Sequence, residues 1–328
     1  MPRIQGRLKA ADLGLVINLD DPYSVAVGEL YARRRGIAEA QILRLHLPRR
    51  PSLSRAEFEA LQAELQERLP ATVQGLALAW SQPYAVECNS ITGALALGIQ
   101  PGLCEAGCAP TKPSPYVFYT GARPQAELGL RPAMLLAARS VADAEALIER
   151  GIAADHSLPA EGQPPANAFF VATPDAARNV RAALFPPAGR LPARFGLEVR
   201  RESSQALPAT LARTLIYQTG LLRVQGLDAV DWLPGALADH LTSVGGRLDN
   251  PPGQGQMNAI EWLESGATAS YGNVSEPCNH LQKFPHPQLL LLSYLQGSTA
   301  LEAYWRSVAW PGQGVFIGEP LAAPFAPR

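Results

Sequence analysis

Between Ala269 and Pro287 the chain reads ASYGNVSEPCNHLQKFPHP, which places Glu276, Cys278, His280 and His286 in a proline-rich stretch behind a strand-like run. A cysteine beside an imidazolium is a thiolate nucleophile near neutral pH. The partner this would need is His240, at the end of the preceding apolar run in ALADHLTSVGG. Caspase-type peptidases set their histidine about 50 residues before the cysteine, each closing a strand. Cys278 and His240 are therefore a candidate catalytic dyad, with Glu276 beside it. Ser243 is a second candidate nucleophile, with glycines close by that would admit a substrate backbone, although no G-x-S-x-G elbow surrounds it. Each residue also has a structural alternative. A lone histidine in an apolar strand is often held by hydrogen bonds, and Cys278 can be half of a disulfide. His240, Cys278, His280 and His286 could hold a metal, but no H-E-x-x-H or comparable spacing is present.

The remaining candidates follow from where ligands bind in parallel sheets, outside the carboxyl ends of the strands. On that rule Asn18, Asp20 and Asp21 after the first strand, Thr242 after the strand of His240, and Asn273 and Asn279 in the opening stretch are candidate binding residues. An aspartate in such a turn also serves as a helix cap.

These residues must be positioned by a fold, and the pattern is clear about its class. LGLVINLDD is a short apolar run ending in acids. SVAVGELYARRRG follows as a helix, with Ser24 as its expected cap. ILRLHL, the amphipathic SRAEFEALQAELQERL with its Ser54/Glu57 capping box, and GLALAW complete a strand–helix alternation. From Gln100 to Pro132 the pattern dissolves into a Gly-, Pro- and Cys-rich segment. It then resumes, with PDAARNVRAALF expected as a helix and Gly266–Val274 as a buried strand before a stiff loop to Pro287. The expectation is an α/β fold with a mainly parallel sheet and helices on both faces. An N-terminal half, residues 1–125, and a C-terminal half, residues 126–328, are the one natural division, unless the two form one continuous unit.

Composition narrows the function classes. Of 328 residues 47% are hydrophobic and 17% charged, with a net charge of −1. That supports a large core and argues against a nucleic-acid binder, which would carry a basic excess. No run of about 18 apolar residues is present to span a membrane. No glycine-rich phosphate loop appears, and no cofactor is expected. The start of the chain shows no apolar leader, so either a cytoplasmic protein or one that begins after a removed leader fits.

VINLDDPYSVAVGELYARRRGI, PYAVECNSITGALALGI, GATASYGNVSEPCNHLQKFPHP and GSTALEAYWRSVAWPGQGVFIGEPLAAPF, with other long stretches, resemble a bacterial family that accompanies the exosortase protein-sorting system. The resemblance implies export, to the periplasm or beyond, and brings no reaction or catalytic residues with it. In that oxidising setting Cys104 and Cys108 of CEAGC are expected to pair with each other. A more distant similarity is to gingipain- and caspase-like peptidases, through GATASYGNV, GSTALEAYWRSVA and the closing FIGEP. It implies a caspase-like, flavodoxin-like arrangement. In one register the peptidase cysteine falls at Thr242 and Ser243 and its histidine has no counterpart. In the other, His240 and Cys278 form the dyad. Three functions follow: an exported hydrolase, as a cysteine peptidase or an esterase or amidase acting on a peptide, polymer or small molecule; a non-catalytic exported binding or scaffold protein; and a metal-binding protein.

Overall fold

Leu13–Asn18 is buried at every position, as a strand covered on both faces must be. The computed structural model describes residues 3–327, and among them that pattern recurs in the central strands of a large sheet. In chain order the strands are β1 (Leu13–Asn18), β2 (Ile42–Leu45), β3 (Ser52–Leu53), β4 (Gly75–Leu78), β5 (Ala85–Val86), β6 (Asn89–Ser90), β7 (Ala133–Leu135) and β8 (Ala166–Ala172). They continue with β9 (Gly189–Arg190), β10 (Leu197–Ser203), β11 (Leu211–Thr219), β12 (Val230–His240), β13 (Ala269–Asn273) and β14 (Gly314–Gly318). The helices are α1 (Pro22–Arg35), α2 (Arg55–Arg68), α3 (Ile91–Leu97), α4 (Pro124–Leu128), α5 (Val141–Ala154), α6 (Ala259–Ser265), α7 (Pro287–Leu295) and α8 (Ala300–Ser307).

Eleven strands pair in the order β2-β1-β4-β7-β14-β13-β12-β11-β8-β10-β9, and β3, β5 and β6 form a small second sheet. The large sheet is mainly parallel. The exceptions are the β13–β14 pair, Ala269 opposite Gly318 through Asn273 opposite Gly314, and the edge pair β9–β10. Ile317 of β14 bridges Leu135 of β7. Beyond β14, Glu319 bonds Arg35 at the end of α1, and Leu321 lies beside Lys9 and Ala10 at the entry to β1. β14 is thus an insertion in the sheet whose far end meets the side where β1 begins.

Side chains alternate across the sheet and feed separate cores. On one face Leu15, Ile17 and Phe316 pack with Val27 and Tyr31 of α1 and with Leu301, Tyr304 and Trp305 of α8. On the other face Val16, Leu76, Leu135 and Ile317 pack with Phe58, Leu61 and Leu65 of α2, Ile91 of α3, and Ile260 of α6. Helices therefore cover both faces, as the strand–helix alternation predicts. The sheet and both of these cores run through the boundary expected at residue 125.

Local chemistry explains most element ends and two departures from expectation. Ser54 and Glu57 make the predicted capping box on α2. The cap of α1 is Asp21, whose side chain accepts from Tyr23 N at 3.2 Å, with Pro22 in the first turn. Ser24 instead lies inside the helix, where its hydroxyl accepts from Asn18 N. The helix expected over PDAARNVRAALF is a turn followed by a short 3₁₀ segment, Asn179–Leu184. Asp175 captures Arg178 N and Asn179 Oδ1 captures Thr173 N, so side chains compete for the backbone groups a helix would use.

Candidate functional site

Strand order decides which candidate residues can meet. Asn18, Asp20 and Asp21 follow β1, whereas His240, Thr242, Ser243, Asn273, Glu276, Cys278 and Asn279 follow β12 and β13, with β4, β7 and β14 between the two groups. In the first group Asn18 ties two strand ends together, its Nδ2 donating to Leu47 O at 3.0 Å and its Oδ1 accepting from Leu47 N at 2.9 Å. Asp20 meets the exposed His46 at 2.8 Å, and Asp21 caps α1. At the far end of α1, Glu319 accepts from Tyr31 Oη at 2.7 Å and from Arg35 Nη2 at 2.6 Å, which locks α1 to the end of β14.

The second group holds the candidates for catalysis. His240 is buried, and both ring nitrogens are engaged. Trp262 Nε1 donates to its Nδ1 at 2.9 Å, so the ring proton sits on Nε2, which donates to Met257 O at 3.1 Å. Burial, with the positive charge of Arg181 nearby, pushes the imidazole down to about 3. Such a ring is neutral and has no free lone pair with which to take a proton from a nucleophile.

Cys278 is bonded to Cys108, with Cα atoms 5.1 Å apart, and Cys88 is bonded to Cys104 at 5.2 Å. The expected Cys104–Cys108 bridge is therefore replaced by two others, each to a different segment. Residues 102–109 curl through successive turns, with Ala106 N donating to Gly102 O and Ala109 N to Ala106 O. The two thiols consequently meet different neighbouring loops. With Cys278 oxidised and His240 saturated, the dyad does not assemble.

The other members of this group have structural partners. Thr242 Oγ1 donates to Gln256 Oε1 at 2.8 Å and accepts from Arg178 Nε at 3.3 Å. Ser243 is half-exposed and makes no hydrogen bond with His240. The glycines after it are crowded by the chain's own backbone: a Cβ on Gly272 would lie 2.3 Å from Gly245 C, and one on Gly246 2.5 Å from Gly272 O. These glycines let the turn after β12 and strand β13 pack backbone against backbone. Asn273 is buried and accepts from Tyr271 Oη at 3.3 Å. Glu276 and Asn279 are the exposed pair, and Glu276 Oε1 caps the backbone N of Cys278 at 2.8 Å. Cys278 and Asn279 are both left-handed, with φ of 55° and 56°.

Several residues that sequence patterns pass over organise the surroundings of this group. Arg181 pairs with Asp239 in full burial and also donates to Thr219 O at 2.7 Å and Pro285 O at 3.3 Å. Burial raises the Asp239 carboxyl against the pull of Arg181. Lys283 is buried with its Nζ donating to Gly107 O at 2.7 Å, and burial lowers it to about 8, opposed by Glu276. Gln313 Nε2 donates to Glu276 O at 2.8 Å, and Ser275 Oγ to Cys88 O at 2.7 Å. Four irregular segments, at 87–90, 100–114, 275–286 and 310–313, are thus clasped into one unit. Among the described residues no group of three or more His, Cys, Asp or Glu is placed to hold a metal ion. No helix among them is long and apolar enough to cross a membrane.

No family model, no curated protein and no solved structure matches this chain.

Proposed function

We propose that this chain is an exported binding or scaffold protein whose disulfide-clasped loops form a rigid recognition face, and that it carries out no hydrolysis through Cys278 and His240. One observation carries the reading: the Cys278 sulfur is spent in a disulfide while both nitrogens of His240 are spent in the core. A nucleophile and base need a free thiolate and a free lone pair within hydrogen-bond reach. Two further observations support it. Two disulfides suit an oxidising compartment, in keeping with the resemblance to exosortase-associated exported proteins. Loops fixed by covalent bonds lose little conformational freedom when a partner docks, which favours binding.

The test is labelling and turnover on the native and the reduced protein. Without reductant, iodoacetamide should leave Cys278 unmodified, and fluorogenic peptides and esters should be turned over at the rate of buffer alone. After reduction the thiol should label without any hydrolysis appearing. Turnover in either state that disappears in Cys278→Ser or His240→Gln would overturn the proposal in favour of the hydrolase.

A further inference from the structure

A cavity of about 330 Å³ lies beside the clasped loop, between α2, the end of α3, Lys112 and the entry to β7. That is at the small end of ligand-binding cavities. Its floor includes Leu76, and its polar lining consists of Gln62, Gln66, Gln125, Lys112 and Arg131, with no acidic side chain. Neither cation has a carboxylate partner among the described residues. Arg131 donates Nε to Val73 O at 3.2 Å and Nη1 to Leu65 O at 3.4 Å. Burial alone lowers its pKa, with no opposing acid. Lys112 Nζ donates to Leu97 O at 3.4 Å. The Leu65 and Leu97 carbonyls lie in the last turns of α2 and α3, so each cation already faces a helix C-terminus. Such a terminus carries only about half an elementary charge, and it leaves the Nη2 donors of Arg131 and most of the Lys112 ammonium uncommitted. Gln62 and Gln66 stand one turn apart on α2 and, with Gln125, present amides that both donate and accept.

We infer that this cavity is a subsite for an acidic sugar, with its carboxylate on Arg131 and Lys112 and its hydroxyls on the three glutamines. The inference rests on the reading of the chain as a binding protein and names the class of its ligand. An arginine fork matches a carboxylate in a way that a neutral sugar cannot exploit. Side-chain amides complement vicinal hydroxyls, and an apolar floor suits the C–H face of a pyranose.

The experiment is calorimetric titration of the disulfide-intact protein with glucuronate, glucose and acetate. Glucuronate should bind saturably, at least tenfold more tightly than either of the other two, and should weaken as salt is raised. Lys112→Gln and Arg131→Gln should each weaken it at least tenfold. Because Arg131 also bonds the end of α2, its variant is read only if its thermal melt is unchanged. The exposed Lys112→Gln variant and the salt series decide otherwise. No saturable glucuronate binding, or binding indifferent to Lys112→Gln and to salt, overturns the inference. Glucose binding as tightly as glucuronate overturns the anionic class yet leaves the binding-protein reading intact, and acetate binding equally well overturns the sugar. Hydrolysis lost in Cys278→Ser or His240→Gln would overturn the binding-protein reading itself, and so separates the two failures.

Discussion

His240 carries no charge where it sits. Its folded pKa is depressed to about 3 from the ordinary 6.5, because burial and Arg181 disfavour the cation. The unfolded chain therefore takes up a proton below pH 6.5 that the folded protein refuses. Stability from this group is fully present above pH 6.5 and is lost as pH falls towards 3. By pH 5 the loss from this one residue is about 2 kcal/mol. His240→Gln removes the titration, so its unfolding free energy, measured by urea denaturation, should fall less steeply than wild type between pH 7 and 5. Equal slopes would refute this account of the ring. Residue roles were partly legible in the sequence. The caps at Asp21 and Ser54 are local and follow from turn chemistry. The partners of His240 are not local: Trp262 and Met257 reach it only after α6 folds back. Arg181 and Lys283 are illegible for the same reason, since an arginine or lysine in a loop carries no sign that it will be buried against Asp239 or Gly107.

At the scale of elements, the clasp turns irregular segments into a fixed surface. The two bridges close separate, non-overlapping loops, with separations of 16 residues for Cys88–Cys104 and 170 for Cys108–Cys278. In the chain-entropy view the longer loop constrains the unfolded state more, about 5 kcal/mol against about 3 kcal/mol. The Cys108→Ser, Cys278→Ser double variant should therefore lose more stability in urea than the Cys88→Ser, Cys104→Ser one. The reverse order would show that native packing, not loop closure, sets their worth. A related expectation concerns the turn after β12. Gly272→Ala drives a methyl into the Gly245 backbone and should cost at least about 2 kcal/mol by thermal melting, because backbone atoms on both sides cannot yield. An unchanged melting temperature would contradict that packing. The sequence marks these segments as irregular through their Gly, Pro and Cys content. It does not reveal the pairing, because CEAGC places two thiols close in sequence while the turns send them to different loops.

At the scale of the whole molecule, alternation of strands and helices announces the α/β class, and continuous apolar runs announce strands buried on both faces. The insertion of β14 leaves no such mark. After α7 and α8 the chain returns so that β14 enters between β13 and β7, antiparallel to β13, and five residues inserted in this way read like any other apolar strand. That insertion makes the two sequence halves depend on each other. Leu76 and Val16, from before residue 125, share a core with Leu135 and Ile317 from after it. Leu15 and Ile17 likewise share one with Trp305 and Phe316. Separating the chain there would strip β4 of its β7 neighbour and expose large apolar faces on both pieces. Residues 1–125 and 126–328 expressed apart should therefore show no cooperative melt and no slowly exchanging amides, while the intact chain should unfold in one transition. Mixing the two pieces should restore protection only if they associate across β4 and β7. A fragment that melts cooperatively alone would show that the sheet is two independently stable blocks in contact, and that the β4–β7 pairing joins them without making either depend on the other.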